Sequence, residues 1–370
     1  MNNLLHISGN KYDGLRKQDH SYRIWKELAC GVDNYYLLAR STTNKFVKIK
    51  EENITLLLLP KIINSSQIFV ITSLAALYFV VRYRISKILA QDALAGGLSG
   101  ILASKIFQIP ILIEIHGDIY FDYFKENSIK KFILSKISKF ILCNATKVRS
   151  LSSSMTDLLS PYIALDKIVL IPNRVDCDLF APPKSSFILG NTISVTSVGR
   201  FVGQKGFDVA IQTIKQLSST YNIKLTLVGG GILKDELLEL IGDDDNIVLV
   251  DWIVQHKLIK FLKESDIYIQ PSIPFLGEAM PRTILESMAM GLPIIATSVC
   301  AIPGILNSQN SILINSNSIP DLAAAIIKLI ENEDLRKSIG ERAYLDASEK
   351  YNWLSMFELY REQINALTYS

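Results

Sequence analysis

Residues 277–293 read Gly277-Glu278-Ala279-Met280-Pro281-Arg282-Thr283-Ile284-Leu285-Glu286-Ser287-Met288-Ala289-Met290-Gly291-Leu292-Pro293. Proline is favoured in a first helical turn, where its missing N–H costs nothing, so the spacing predicts a helix over 282–290. Glu278 then falls in the loop before that helix, beside amides that an anionic ligand can use. Glu286 falls about one turn inside, where a carboxylate is expected to be solvated. On spacing alone the pair reads equally as a capping carboxylate and a surface glutamate.

Outward from this stretch the pattern repeats. Short apolar runs at 267–270 and 294–296 flank it, and similar runs occur at 193–198, 224–228, 247–250 and 311–314. In the first half they occur at 4–8, 35–38, 55–59, 87–90, 111–115, 148–152 and 168–171. Amphipathic stretches at 208–217, 234–240, 255–264, 320–331 and 334–349 separate those of the second half. Apolar strands alternating with helices predict an α/β chain whose parallel sheets are covered on both faces. After Ile171-Pro172-Asn173 the chain runs through Phe180-Ala-Pro-Pro183-Lys-Ser-Ser, where prolines deny the backbone a sheet or helix. The boundary is therefore expected near residue 182, giving domains 1–182 and 183–350.

Composition narrows the function. The 370 residues are 49% hydrophobic and 20% charged, which excludes a disordered polyelectrolyte and suits two cores. A net charge of +3 argues against a dedicated nucleic-acid binder, and no nucleic acid is expected as a partner. That small total conceals +8 in residues 1–180 and −5 in 181–370, as if the two domains face different partners. Cys30, Cys143, Cys177 and Cys300 are scattered, without metal-ligand spacing, and read as reduced thiols. The N-terminus lacks a signal-peptide pattern, and the longest nearly apolar run, 68–81, is shorter than a bilayer span. A cytoplasmic protein is expected, peripheral at most. Residues 129–141 are expected to place Ile129, Ile133, Leu134, Ile137, Phe140 and Ile141 on one arc and Lys131, Lys136 and Lys139, with Phe132, on the other. The arc is expected to pack on a sheet, and the other face, with Phe132 dipping in and Arg82, Arg84 and Lys87 adding to it, to offer a basic surface to anionic lipid.

Ser265-Asp266 through Pro271-Ser272, followed by Glu278, seven residues, Glu286-Ser-Met-Ala and Gly291-Leu-Pro293, resembles the C-domain signature of glycosyltransferase family 4. Further elements match in order: His116-Gly117, Ile171-Pro172-Asn173-Arg174-Val175-Asp176, Gly199-Arg200, Lys205-Gly206 and Leu227-Val-Gly229-Gly-Gly231. The resemblance extends over about 4–360 and is most specific from His116 to Pro293. It implies the GT-B fold, two Rossmann-like doubly wound domains facing a central cleft, with the last segment, 351–370, packing back on the N-terminal domain.

The activity implied is retaining sugar transfer from a nucleotide sugar, UDP- or GDP-linked, to a saccharide acceptor. That acceptor is expected to be lipid-linked and to belong to bacterial surface polysaccharide synthesis, lipopolysaccharide or capsule. By the same resemblance Arg200 and Lys205, helped by Gly14, hold the donor diphosphate. A guanidinium fork and a flexible ammonium suit phosphate oxygens that gain charge as the glycosidic bond breaks. Glu286 accepts from the ribose hydroxyls, with Ala279 and Met280 beside the donor sugar. His116 and Glu278 are the implied catalytic pair at that sugar, with no covalent role assigned and Asp118 a candidate neighbour of His116.

No cofactor or metal is implied. Asp243-Asp244-Asp245 mimics a metal-binding D-x-D but precedes a strand after Gly242, and reads as a solvated acidic turn. The chain departs from the family's pattern at three places. Asp13-Gly14 stands for a Gly-Gly pair, Arg174 stands where a glycine would tolerate positive φ, and Ala301-Ile302-Pro303-Gly304 lacks an acid. A sugar-nucleotide epimerase of the same architecture and a catalytically silent binding subunit are the rival readings.

Overall fold

The computed structural model describes residues 2–17, 19–61, 65–116, 129–181, 183–274 and 280–369. The chain forms two units, Met1–Pro172 with Phe357–Ser370, and Asn173–Met356.

The first unit is built on eight strands: β1 (Asn3–Tyr12), β2 (Asn34–Ser41), β3 (Val47–Glu51), β4 (Ile54–Leu59), β5 (Lys87–Ala90), β6 (Ile111–Glu114), β7 (Lys147–Ser150) and β8 (Ile168–Leu170). Their order is β3-β4-β2-β1-β5-β6-β7-β8, with every pairing parallel except β3 to β4. Its helices are α1 (His20–Ala29), α2 (Ser65–Tyr83), α3 (Ala95–Phe107), α4 (Ile129–Asn144) and α5 (Ser153–Leu159). Leu4, Leu5, Leu37, Leu56, Ile88, Leu112 and Val148 are fully buried, as strands covered on both faces must be.

Two expectations change here. The antiparallel β3 escapes the sequence reading because an edge strand alternates polar residues, and Glu52 supplies its turn's positive φ (51°) without a glycine signal. The other concerns α4. Its buried positions are Ser135, Ser138, Ile141 and Leu142, while Ile129, Phe132, Ile133 and Phe140 are exposed, as are Lys136 and Lys139. Of the expected arc only Ile141 is buried and Leu134 and Ile137 half-buried, and the small serines share the inward face with them.

The second unit holds β9 (Ile193–Arg200), α6 (Phe207–Leu217), β10 (Ile223–Gly230), α7 (Lys234–Ile241), β11 (Ile247–Val250), α8 (Gln255–Lys263), β12 (Ile267–Gln270), α9 (Arg282–Ala289), β13 (Ile294–Thr297), β14 (Ile312–Ile314), α10 (Ile319–Glu331) and α11 (Glu333–Lys350). The strand order is β11-β10-β9-β12-β13-β14, all parallel. Val195, Leu225, Leu227, Ile267, Ile269 and Ile295 form its sheet core, capped by Ile211, Ile214, Ile326 and Leu329.

The division between units falls at 172/173, ten residues before the predicted 182/183. The intervening stretch is tied to the second unit. Asn173 Nδ2 donates to the Met280 carbonyl (2.9 Å), Lys184 Nζ to the Ser265 carbonyl (2.8 Å) and to Asp266 (3.1 Å). Arg336 grips the Phe187 carbonyl through Nε and Nη2 (2.9 and 2.7 Å). At the other end the division lies inside α12 (Trp353–Asn365), whose later turns belong to the first unit. There Arg361 reaches Glu27 (3.1 Å) and Lys87 Nζ donates to the Asn365 carbonyl (2.9 Å). Arg174 takes no positive φ and lays its guanidinium 5.6 Å from the Trp353 ring, so no backbone strain attends the missing glycine.

Candidate active site

In an open parallel sheet, ligands bind beyond the strand C-termini where the order reverses. In the second unit that point lies between β9 and β12. β9 runs its full length beside β10, and at the top Gly199 pairs with Gly229 and Arg200 with Gly230. A Cβ on Gly229 would collide with the Gly199 carbonyl, so glycine lets these strands close. Past β9 a 3-10 turn over Gly203–Lys205 ends at Gly206, whose φ is +63°. A Cβ there would strike the Pro271 carbonyl beyond β12. Ile273 N–H donates to the Gln204 carbonyl (3.1 Å), pinning the two loops together across the switch point.

This framework places the two cations. Arg200 is exposed at the strand end, and Lys205 is buried, with its stem 3.3 Å from where a Gly199 Cβ would stand. Below them the β12 loop is stiffened by a buried polar chain. Gln270 accepts from the Tyr268 hydroxyl (2.8 Å) and donates to Ser272 Oγ (2.8 Å), while Thr297 Oγ1 donates to the Ser272 carbonyl (2.5 Å). Each buried polar group in that chain has a partner, which holds the crevice wall in one arrangement.

Glu286 is half-buried on α9 rather than solvated as spacing predicts, because Gln255, which opens α8, donates to its Oε1 (3.3 Å). Burial pushes its carboxyl above the usual range, against the charge of Arg282 and the Gln255 hydrogen bond. Gln255 lies 31 residues upstream, and nothing in the sequence signals that pairing. Met280 is buried and its carbonyl and sulfur accept from Asn173, so the interdomain turn and the loop before α9 hold each other. Glu278 and Ala279 lie outside the described residues. Asp243 to Asp245 lie at the N-terminal edge of β11, opposite the strand ends that bind ligands, where Asp244 holds Asn246 N–H (2.9 Å).

In the first unit the order reverses between β1 and β5. Asp92, after β5, accepts from the amides of Leu94 (2.8 Å) and Gly96 (3.1 Å) at the start of α3. Burial pushes its carboxyl up, against the amides of Leu94, Gly97 and Gly96. A Gly9 Cβ would stand 3.1 Å from Asp92 Oδ2. Gly9, not weighed from sequence, is thus the glycine at this switch point. Gly14 lies past the end of β1, where a Cβ would meet only Ile49, at 3.7 Å. His116 emerges, exposed, two residues after β6, with Nε2 3.2 Å from Glu114 Oε2.

Beside it His6 is buried, with Nδ1 hydrogen-bonded to the Tyr35 hydroxyl. Burial lowers its pKa from 6.5 to about 4, against the attraction of Glu114 and with the help of His116. Below pH 6.5 the unfolded chain binds the proton that folded His6 refuses, so stability falls as pH drops toward 4. Between pH 7 and pH 5 wild type is expected to lose about 2 kcal/mol more than His6→Gln. Urea unfolding at both pH values checks this; equal losses would show that His6 is not held neutral.

Residues 183–346 match the family model described as glycosyl transferases group 1. An uncharacterized glycosyltransferase of Methanocaldococcus jannaschii is 28% identical over 279 residues, spanning 72% of this chain and 71% of that protein. UDP-Gal:alpha-D-GlcNAc-diphosphoundecaprenol alpha-1,3-galactosyltransferase of Escherichia coli is 27% identical, spanning 74% and 73%. Among solved structures, Anabaena HepE in complex with UDP and glucose superposes with a TM-score of 0.77 at 15% identity, over 99% of this chain and 100% of that one. The fold is GT-B, and the family match and the relatives together mark a glycosyltransferase.

Proposed function

We propose that the chain is a retaining, metal-independent glycosyltransferase that moves a sugar from a nucleotide sugar to a saccharide carried on a lipid diphosphate, in the assembly of a bacterial surface polysaccharide. The observation that carries this reading is Arg200 and Lys205 at the β9 end of the switch-point crevice, with Glu286 on the helix that follows β12. Cations fixed beside a glycine-lined turn suit a diphosphate whose charge grows as the glycosidic bond breaks, without a divalent ion. Glu286, as an ionised acceptor, suits ribose hydroxyls. His116, on the first unit, serves the transferred sugar, and Glu278 has the same assignment.

UDP is favoured over GDP as the leaving group, since HepE is seen with UDP and the E. coli relative uses UDP-Gal. The lipid-linked acceptor follows the E. coli relative, whose acceptor is a diphosphoundecaprenol saccharide. Thermal-shift titration against UDP- and GDP-sugars tests the donor: stabilisation by a UDP-sugar is expected, and none by either class would refute the reading. Proton NMR of the product tests the mechanism, with the donor's anomeric configuration preserved if transfer is retaining.

Membrane contact belongs to the same reading. No helix among the described residues is long and apolar enough to cross a bilayer. Yet α2 exposes Val70, Leu74, Tyr78 and Val81 along one stripe with Arg82 and Arg84 at its end, and α4 exposes Ile129, Phe132, Ile133 and Phe140 beside Lys136 and Lys139. Apolar stripes edged with cations suit an anionic bilayer interface. Flotation with vesicles containing anionic lipid is expected to carry the protein up, less so at high salt, and Phe132→Asp with Leu74→Asp to abolish it. Wild-type protein left in the dense fraction at low salt would refute membrane contact.

A further inference from the structure

β6 ends on Glu114, a carboxylate 3% exposed inside the first unit. Three side chains converge on it. Oε1 accepts from Arg149 Nη1 (2.6 Å) on β7 and from the Tyr360 hydroxyl on α12, and Oε2 faces His116 Nε2 at 3.2 Å. Arg149 is itself immobilised: its Nε and Nη2 donate to the carbonyls of Ile171 and Pro172, each at 2.9 Å, and its guanidinium lies 4.9 Å from the Tyr360 ring centroid. Among the described residues, His6 on β1 and Tyr35 on β2, joined to each other, also face this cluster, and Tyr12 on β1 stands beyond Tyr35.

Burial by itself would push the Glu114 carboxyl up, but His116, Arg149 and His6 together hold it well below the usual carboxylate range. An ionised carboxylate only accepts, so the imidazole nitrogen facing it carries a proton. That fixes the tautomer of His116, with Nδ1 the nitrogen that does not face Glu114. The carboxylate cannot swing away, because Arg149 and Tyr360 occupy its other oxygen.

We propose that Glu114, clamped by Arg149 and by Tyr360 of the C-terminal helix, is a positioning residue that holds His116 with Nε2–H inward and Nδ1 toward the transferred sugar. This rests on the reading that places His116 at that sugar. It gives the last helix a part in the chemistry: Tyr360 reaches Glu114 across 246 residues of sequence.

The test uses the full chain, a UDP-sugar and a lipid-diphosphate saccharide. Glu114→Gln is expected to lower kcat about 10- to 100-fold, the range typical when the partner that orients an imidazole is removed, with KM for the donor unchanged. Tyr360→Phe keeps the ring over Arg149 and is expected to lower kcat about three- to tenfold, the loss of one hydrogen bond to a charged group. Nitrogen-15 NMR of His116 is expected to show the Nε2–H tautomer in wild type and a mixture in Glu114→Gln. Stabilisation by UDP is expected to be the same in all variants. If His116→Ala loses turnover while Glu114→Gln and Tyr360→Phe keep it, the positioning role is overturned. Should Glu114→Gln fail to fold, unchanged kcat in Tyr360→Phe or an Nδ1–H tautomer in wild type overturns it equally. Undiminished turnover in His116→Ala refutes the assignment of His116 itself.

Discussion

Lys205→Ala and Glu286→Ala are each expected to lose most of the donor-induced stabilisation, which for wild type is about 2.7 kcal/mol at 100 times the dissociation constant. The expectation follows from where the two residues stand. Lys205 closes the 3-10 turn after β9 and Glu286 sits on the helix after β12, on the two strands that flank the switch point. A ligand with phosphates near the first and ribose near the second loses a charge-assisted hydrogen bond in either variant, the stronger kind of hydrogen bond. Asp244→Asn, at the opposite edge of the sheet, is the control and is expected to keep the full shift. Thermal unfolding with and without UDP-sugar gives the comparison. If both crevice variants keep the shift, the donor binds elsewhere.

Gly206→Ala is expected to cost about 2–5 kcal/mol of second-unit stability. A left-handed residue with a Cβ carries roughly 1–2 kcal/mol of strain, and forcing apart a packed contact adds about 1–3 kcal/mol. Both apply at Gly206, with its φ of +63° and the Pro271 carbonyl in the way. Gly229→Ala meets only the second, against the Gly199 carbonyl, and is expected to cost less while still spreading β9 from β10. Gly203→Ala has nothing within 4 Å of the new Cβ and is expected to change stability by no more than about 0.5 kcal/mol. Urea titration of the three variants ranks them. A Gly206→Ala protein as stable as Gly203→Ala would mean that the β9 and β12 loops do not close on each other as described.

Strand positions in the second unit were legible because short apolar-rich runs recur from Ile193 to Ile314. They are unbroken where both faces are buried, as in Ile294–Ala296, and broken by Lys224 or Thr196 where a polar side chain is accommodated. Gly206 and Gly229 were legible for a related reason: a backbone that must approach another backbone leaves no room for a side chain, and glycine is the visible trace. What the sequence hid was pairing at long range. Glu286 looked solvated because its own helix says nothing about Gln255, which arrives on a different one. Glu114 looked like one more residue of a buried strand, and its partners Arg149 and Tyr360 come from a neighbouring strand and the last helix. The face of α4 was misjudged in part because apolar periodicity shows that a stripe exists but not what it meets; Ser135 and Ser138 fit against the fold with Ile141, while Ile129, Ile133 and Phe140 of the expected arc are exposed.

The unequal charge of the two halves, +8 in 1–180 and −5 in 181–370, now has a physical setting. On the proposed reading the acidic half accommodates an anionic donor through two local cations, Arg200 and Lys205, and net domain charge is then no guide to a phosphate site. The basic half carries the exposed apolar stripes of α2 and α4, where cations suit an anionic surface.

The measurement closest to the central claim follows the labelled sugar of a UDP-sugar incubated with wild-type protein, with and without a lipid-diphosphate-linked saccharide. Label is expected on the lipid-linked product, with UDP released in equal amount and the donor intact when the acceptor is left out. A sugar isomerised while still attached to UDP, with no need for acceptor, would contradict it and point to an epimerase. Donor bound but never consumed under any acceptor would contradict it as well, leaving a binding subunit without turnover.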